Sequence, residues 1–395
     1  MVNLTVLEKN PEMIDPLTRR AYGRYGGMVA GEILLAGSTC DSDPATSSTE
    51  TDTPTATDEP TTTEGSSYTV QLAPVGEVTF DETPEEWIAY QYAYGDMGVA
   101  LGRADGYLGT NKPENYPDFF YDELPGVEFD ASTLTNIGSG DKEVFYDLNP
   151  DVLFIDPNNA QARFEWSQAD IEELTENVAP FFGHFGRRYG YEYQQDYQQL
   201  GLYDLFEHVA EVFQAQARYR RIKAIHDDVL DTVTANLPPE DERPTVGLLS
   251  GGSNVADGTL YLMEATAPGY GRKQYRDLGV QDVLDSVETD SPFYQTDFER
   301  LLELDPDVIV VHWTIQLSES EFTAEFVDPF EADPVGSELT AVQNDRVFKG
   351  GTAEQGPIIN LFQTELAAEQ LYPDIIDGRE LFSRDELATA VTEEA

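Results

Sequence analysis

The chain has 395 residues, enough for two or three domains, and 40% of them are hydrophobic. Its 75 Asp and Glu residues against 23 Lys and Arg give a formal net charge of −52, which argues against nucleic acid as a partner. Because the carboxylates spread along the whole chain and only six basic residues are lysine, the composition indicates a halophilic protein, soluble in concentrated salt. An acidic tail or a cation-storing surface is the alternative.

The first 40 residues have the composition of a processing segment. Arg19 and Arg20 precede a weakly apolar stretch at 26–39, which ends at Cys40, the only cysteine. This order predicts a twin-arginine export signal over 1–40 that is lipidated at Cys40, which would anchor the protein to the outer face of the cell membrane. The alternative is an unfolded leader with a spare cysteine. A lone cysteine leaves the fold without an internal disulfide.

Residues 41–67 are almost entirely Ser, Thr, Asp, Glu and Pro, which predicts a solvated tether. Folding is expected to begin at Tyr68 with a hairpin, followed by a strand that begins at Trp87 and a helix that ends near Leu101. Strand and helix patterns then alternate to Gly201. We therefore predict a first α/β lobe over 68–201.

Residues 202–237 contain neither Gly nor Pro, and their apolar residues recur at helical spacing. One long helix of this length would bridge two lobes; two helices with a kink near 214–218 are the alternative. A second α/β lobe is expected over 238–395, because residues 245–249 have the pattern of a buried strand.

A repeat supports the division into two lobes. Residues 143–156 and 299–312 each contain a short helical pattern, a Pro-Asp break and an apolar run, at an offset of 156 residues. An apolar run without polar alternation is typical of a parallel strand covered on both faces. The sequence therefore predicts two similarly built α/β lobes.

The familiar catalytic motifs are incomplete. The segment 251–255 nearly forms a nucleophile elbow, but Val255 stands where the tight turn needs glycine. The glycines at 138–143 lack the third glycine of a dinucleotide fingerprint, and the Gly-Lys of a P-loop does not occur. We therefore expect a protein that is not an enzyme and has no metal site of its own. A surface-displayed hydrolase or adhesion module remains the alternative from another class.

Aromatic and basic residues cluster where predicted strands end, and open α/β sheets bind ligands there. Arginine among tyrosines suits an anionic ligand with planar groups. The candidate ligand-binding residues are Tyr92, Tyr94, His184, Arg187, Arg188, Tyr189, Tyr191, His312 and Trp313.

Taken together, the chain resembles the iron-siderophore and cobalamin class of substrate-binding proteins that serve ABC importers. The resemblance covers about 68–377. It is carried by Pro84-Glu-Glu-Trp-Ile, Leu101-Gly102, the two Leu-x-Pro-Asp-Val segments, the segment 339–348 and the helical segment 202–237. It implies two Rossmann-like lobes with parallel central sheets, joined by one long α-helix, and a ligand held between them.

The resemblance also implies partners. In this family a glutamate on each lobe docks onto arginines of the membrane permease, and the matching positions are Glu143 and Glu299. The ligand implied is a small-molecule iron chelate, a ferric siderophore. Cobalamin or haem are alternatives, and His184 or Tyr189 is a candidate axial ligand for haem. A monomer is usual for the family.

Overall fold

The structure is a computed structural model that describes residues 67–289 and 291–393. The predicted export signal at 1–40, its Cys40 and all of the predicted tether except Ser67 lie outside the described residues. The first described elements are strands β1 (Tyr68–Leu72) and β2 (Gly76–Phe80), which pair as an antiparallel hairpin. This confirms the hairpin predicted at the start of the fold.

The first lobe contains a parallel sheet with the strand order β5-β4-β3-β6. Its strands are β3 (Trp87–Ala89), β4 (Tyr107–Thr110), β5 (Thr135–Asn136) and β6 (Val152–Phe154). A parallel bridge between Leu153 and Phe181 extends the sheet beyond β6. The helices of this lobe are α1 (Tyr92–Ala100), α2 (Lys142–Leu148), α3 (Pro157–Phe164) and α4 (Gln168–Asn177).

The second lobe contains a mixed sheet in the order β10-β8-β7-β11-β12, with β9 also paired to β7. Its strands are β7 (Thr245–Ser250), β8 (Leu260–Met263), β9 (Gln281–Asp282), β10 (Tyr294–Thr296), β11 (Val308–His312) and β12 (Val347–Lys349). The predicted parallel sheet holds for β9, β7, β11 and β12, whereas β8 and β10 run antiparallel to their neighbours, so the sheet is mixed. The connection 251–259 is too short for the crossover that a parallel partner of β7 would need.

The second lobe also contains eight α-helices among the described residues. They are α7 (Lys273–Asp277), α8 (Phe298–Leu304), α9 (Glu319–Phe322), α10 (Asp328–Ala332), α11 (Thr340–Gln343), α12 (Pro357–Leu371), α13 (Pro373–Ile376) and α14 (Arg384–Thr392). The α/β class with two lobes is thus confirmed.

The segment between the lobes forms two helices, α5 (Leu202–Val212) and α6 (Gln216–Asn236), so the prediction of one continuous helix is wrong. The break lies at Gln214, whose φ of 52° is left-handed. Arg103 donates from Nη2 to the carbonyl of Phe213 at 3.1 Å, which satisfies a helix end that would otherwise lack a partner. The kink also lets the Phe213 ring pack against Trp87, with ring centroids 5.7 Å apart. The alternative of a kinked pair of helices is the correct one.

The two copies of the sequence repeat occupy equivalent places in different sheets. Helices α2 and α8 both end at a left-handed residue, Asn149 with φ 44° and Asp305 with φ 42°. After each Pro-Asp break, the following strand pairs in parallel with the first sheet strand of its lobe, β6 with β3 and β11 with β7. The prediction of two similarly built lobes is confirmed.

The aspartate of each Pro-Asp break accepts hydrogen bonds from the backbone where the neighbouring strand of its lobe begins. Asp151 Oδ2 accepts hydrogen bonds from the amides of Glu85 and Glu86, both at 2.9 Å, just before β3 begins. Asp307 Oδ2 accepts from the Thr245 amide at 2.8 Å, where β7 begins. The aspartate of the repeat therefore ties the strand that follows it to its parallel neighbour, β6 to β3 in the first lobe and β11 to β7 in the second.

The lobes are held together by packing of α1 against α12. Asp96 on α1 is completely buried, and its Oδ2 accepts from the amides of Ile358 at 2.9 Å and Ile359 at 3.1 Å at the start of α12. Its Oδ1 accepts from the Tyr121 hydroxyl at 2.7 Å. One carboxylate of the first lobe therefore caps the N-terminus of a helix in the second.

Asp96 makes the stability of the protein depend on pH. Burial raises its pKa from the ordinary value of 3.8 to about 7, although the hydrogen bonds from Tyr121 and the two amides oppose the rise. Between these two values the folded chain holds a proton that the unfolded chain has released, so stability falls as pH rises from 4 to 7. Each pKa unit of difference corresponds to about 1.4 kcal/mol.

We expect Asp96→Asn to lose less unfolding free energy than the wild type between pH 4 and pH 7, because asparagine does not titrate. Urea unfolding at both pH values measures the difference. Asp105→Asn, at an exposed position, is the matched control and is expected to follow the wild type. Equal pH dependence in Asp96→Asn and the wild type would contradict the buried titration.

Candidate ligand-binding cleft

The first cavity lies where the strands of the first lobe end. It has a volume of about 410 Å³, including the part open to solvent. Strand β3 has β4 on one side and β6 on the other, so the cavity lies at a point where the direction of the chain connections reverses, the usual ligand position in an open α/β sheet. It is lined by Tyr90, Gln91, Tyr92, Asn111, Asn159, Arg163, Phe185, Arg187, Tyr191 and Glu354.

The second cavity, of about 390 Å³ including the part open to solvent, lies on the side of the second lobe. It is lined by Arg187, Arg188, Ala267, Pro268, Gly271, Arg272, Phe293, Trp313 and Ala353. Because Arg187 lines both cavities, they adjoin. We refer to the two cavities together as the cleft.

Backbone contacts join the lobes beside the cleft. The amide of Tyr270 donates to the Gly186 carbonyl and the amide of Gly271 to the Arg187 carbonyl, both at 2.9 Å. Gly269 has φ 100°, and a Cβ there would lie 2.5 Å from the Arg187 carbonyl oxygen. Glycine at 269 is therefore needed for both the turn and the close approach.

An ion pair crosses between the lobes at the junction of the two cavities. Arg187 Nε lies 3.3 Å from Glu354 Oε1, and the side chains are only 10% and 8% exposed. The guanidinium carbon of Arg187 also lies 5.5 Å from the centre of the Phe185 ring. This placement gives Arg187 a fixed, largely desolvated position in the cleft, where an ionic contact is stronger than in water.

Arg188 and the neighbouring tyrosines form a stacked group. Arg188 Nε donates to the Tyr191 hydroxyl at 2.7 Å, and its guanidinium carbon lies 4.8 Å from the centre of the same ring. Tyr191 stacks on Tyr193 at 5.3 Å, and the Tyr193 hydroxyl accepts from Asn159 Nδ2 at 2.8 Å. The loop that carries Tyr191 and Tyr193 is thereby fixed to α3.

Two further arginines, which the sequence analysis did not single out, also reach the cleft. Arg163 lines the first cavity and donates from Nε to the Tyr90 hydroxyl at 2.9 Å. Arg272 lines the second cavity; burial lowers its pKa to about 10, and the nearby Arg188 and Arg187 add to the lowering. With Arg187 and Arg188 they bring four cationic side chains into one cleft of a chain whose net charge is −52.

The predicted site residues divide into two groups. Those that line the cleft are Tyr92, Arg187, Arg188, Tyr191 and Trp313. Those that line neither cavity are Tyr94, His184, Tyr189 and His312. Polar, charged and aromatic residues that line the cleft but were not predicted from the sequence include Gln91, Asn111, Asn159, Arg163, Arg272, Phe293 and Glu354.

Tyr94, His184 and Tyr189 belong to a buried hydrogen-bonded group instead of the cleft. The Tyr94 hydroxyl accepts from the His184 amide at 2.8 Å, and His184 Nε2 lies 3.1 Å from the Tyr189 hydroxyl. Desolvation lowers the pKa of His184. Tyr94 lies outside both cavities because side chains two residues apart on a helix do not share a face, and Tyr92 is the one that lines the cleft.

The neighbouring residues His312 and Trp313, at the end of β11, differ in the same way: only Trp313 lines the cleft. His312 is fully buried, neither ring nitrogen has a hydrogen-bond partner among the described residues, and burial lowers its pKa well below the ordinary value. Trp313 has φ 65°, a left-handed conformation that is unusual for a bulky residue, and its amide donates to the Gly351 carbonyl at 2.7 Å. This turn directs Trp313 to the second cavity, and such local strain is typical of ligand sites.

The two predicted docking glutamates lie in the first turns of α2 and α8. Both Glu143 and Glu299 are exposed. Each helix begins at an aspartate cap: Asp141 accepts from the Glu143 amide at 3.1 Å, and Asp297 from the Arg300 amide at 2.9 Å. The carboxylates are therefore available at equivalent positions of the two lobes, and their docking role stays a prediction.

The model of the family described as "Periplasmic binding protein" matches residues 88–353. The chain belongs to the periplasmic binding protein family. Its members are solute-binding proteins and not enzymes, they act outside the cytoplasm, and they work with ABC transporter permeases. No curated protein matches the chain. Among the described residues, no helix has the length and hydrophobicity that a membrane crossing requires.

Solved structures share the two-lobe fold. A periplasmic binding protein from Veillonella parvula has a TM-score of 0.56 at 15% identity, over 78% of this chain and 99% of that one. The iron uptake ABC transporter substrate-binding protein PiuA from Streptococcus pneumoniae has a TM-score of 0.55 at 16% identity, with the same coverage. The catecholate-siderophore binding protein VctP from Vibrio cholerae has a TM-score of 0.52 at 16% identity, over 79% of this chain and 100% of that one.

Proposed function

We propose that this periplasmic binding protein captures a ferric siderophore in the cleft and delivers it to an ABC transporter permease. The observation that carries the proposal is the convergence of Arg163, Arg187, Arg188 and Arg272 on one cleft of a strongly acidic protein. Ferric chelates often carry negative charge, and buried arginines contribute charge-assisted hydrogen bonds to such oxygens. The tyrosine rings and Trp313 suit the planar groups of a chelator.

The descriptions of two structural neighbours support this ligand over the alternatives. PiuA is described as an iron uptake protein and VctP as a catecholate-siderophore binding protein. Haem held axially by His184 or Tyr189 has less support, because neither residue lines the cleft. A corrinoid remains the second candidate ligand, since the aromatic lining also suits its macrocycle.

The anchoring and the salt preference are part of the same proposal. Export by a twin-arginine signal and lipidation at Cys40 would hold the binding lobes near the permease by the tether 41–67. The acidic, lysine-poor composition supports function in concentrated salt, where surface charges are screened within a few ångströms. We propose that the protein acts as a monomer.

We expect the purified protein to bind one class of ferric siderophore in molar salt with a saturable quench of tryptophan fluorescence. Trp313 lines the second cavity, whereas Trp87 and Trp166 are buried in the first lobe. The titration compares ferric hydroxamate, catecholate and carboxylate complexes with cyanocobalamin and haemin. Trp313→Phe is the control, and its quench should be smaller. Binding of the corrinoid alone, or of haemin with a Soret band, would overturn the siderophore assignment.

A further inference from the structure

Helix α2 presents an aromatic side chain to solvent beside a predicted docking glutamate. Among the described residues the exposed large hydrophobic side chains are Phe119 and Tyr146, 39% and 40% exposed. Tyr146 lies three residues after Glu143, so the two side chains share a face of α2. Asp147 is exposed beside them, and this part of the surface therefore combines an aromatic ring with carboxylates.

The ring of Tyr146 is held in place by a network of ionic contacts. Its hydroxyl donates to Glu173 Oε1 at 3.0 Å. Lys142 Nζ lies 2.6 Å from Glu173 Oε2 and 2.6 Å from Asp170 Oδ1, which ties α2 to α4. A side chain that is already ordered loses little conformational freedom on binding, so an exposed ring of this kind is well suited to an interface.

The equivalent position of the second lobe differs. At the offset of 156 residues, Tyr146 corresponds to Leu302 on α8, which is partly buried and packs against the core of that lobe. The two copies thus share the exposed glutamates but not the aromatic ring. A surface that meets the two lobes through Glu143 and Glu299 would gain an additional contact only on the first lobe.

We infer that Tyr146 is an aromatic anchor for the permease, and that an arginine of the permease pairs with Glu143 while its guanidinium stacks on the Tyr146 ring. This inference rests on the proposed function, and it makes docking asymmetric between the lobes. Arginine fits because its planar cation binds a carboxylate and an aromatic face together. Central aromatic residues of interfaces contribute a large share of binding energy.

The test measures binding of purified ligand-loaded protein to right-side-out membrane vesicles from source cells that lack this gene. We expect Tyr146→Ala to weaken binding by about tenfold, the scale of an interface hot spot. Tyr146→Phe keeps the ring and should weaken it much less. Phe119→Ala is the matched control for loss of an exposed aromatic ring and should bind as the wild type does.

The outcomes separate this inference from the proposed function. If reversal of Glu143 and Glu299 abolishes vesicle binding while Tyr146→Ala matches Phe119→Ala, the anchor is wrong and the docking proposal stands. If the glutamate reversal leaves vesicle binding unchanged, the docking proposal itself fails. Ligand affinity serves as the folding control, and it should stay constant in every variant because Tyr146 lines neither cavity.

Discussion

Arg187→Gln is expected to weaken binding of the ferric chelate by roughly tenfold to a hundredfold. A hydrogen bond to a charged group contributes roughly 1.5–3 kcal/mol, and 1.4 kcal/mol corresponds to a factor of ten. Arg187 has the largest expected effect because it lines both cavities and lies between the lobes. Calorimetric titration of the chelate into wild type and variant in molar salt measures the change.

The same substitution is expected to destabilise the protein, and a second variant separates the two effects. Removing Arg187 leaves the buried carboxylate of Glu354 without this cation, and breaking such a pair costs on the order of 3 kcal/mol. Arg187→Gln combined with Glu354→Gln should recover most of the unfolding free energy but not the affinity. Arg220→Gln, at an exposed position on α6, is the matched control for loss of one positive charge. Because Glu354 also lines the cleft, Glu354→Gln alone gives the reference affinity, and an equal affinity in the double variant would remove Arg187 from the ligand site.

Simultaneous Glu143→Arg and Glu299→Arg substitutions are expected to reduce iron uptake by cells to the background level while leaving ligand affinity unchanged. Both carboxylates are exposed in first helical turns and line neither cavity, so charge reversal should repel a basic permease surface without altering the cleft. Uptake of radioactive iron by cells that carry only the variant measures the effect.

The control for this experiment reverses two other exposed carboxylates, one on each lobe. Glu77→Arg with Asp241→Arg changes the net charge by the same amount, and uptake should stay normal. If affinity falls as much as uptake in the Glu143 and Glu299 variant, or if the control variant loses uptake as well, the docking assignment is wrong.

Local signals explain which parts of the fold the sequence predicts. The Pro-Asp breaks fix the ends of α2 and α8, and the apolar runs after them form the parallel strands β6 and β11. No glycine or proline in the sequence marks the kink at Gln214. The kink is stabilised by a hydrogen bond from Arg103, which lies more than a hundred residues away in the chain. The antiparallel strands of the second sheet likewise depend on pairing between distant segments.

Cleft residues can be predicted from the sequence where their charge is unusual for the surrounding sequence. Arg187 and Arg188 stand out as adjacent cations in an acidic chain. A position after a strand does not say which way the side chain points, so the sequence predicts Tyr94 and His312 in the cleft, whereas in the structure they line neither cavity. Arg163 and Glu354 reach the cleft only through the packing of distant elements, so no local pattern marks them.

The position of the iron tests the central claim most directly. Crystals of the protein loaded with its ferric chelate, measured at the iron absorption edge, would locate the metal by its anomalous scattering. We predict a single peak between the first and second cavities, beside Arg187. An iron peak outside the cleft in protein that has bound the chelate would contradict the assignment.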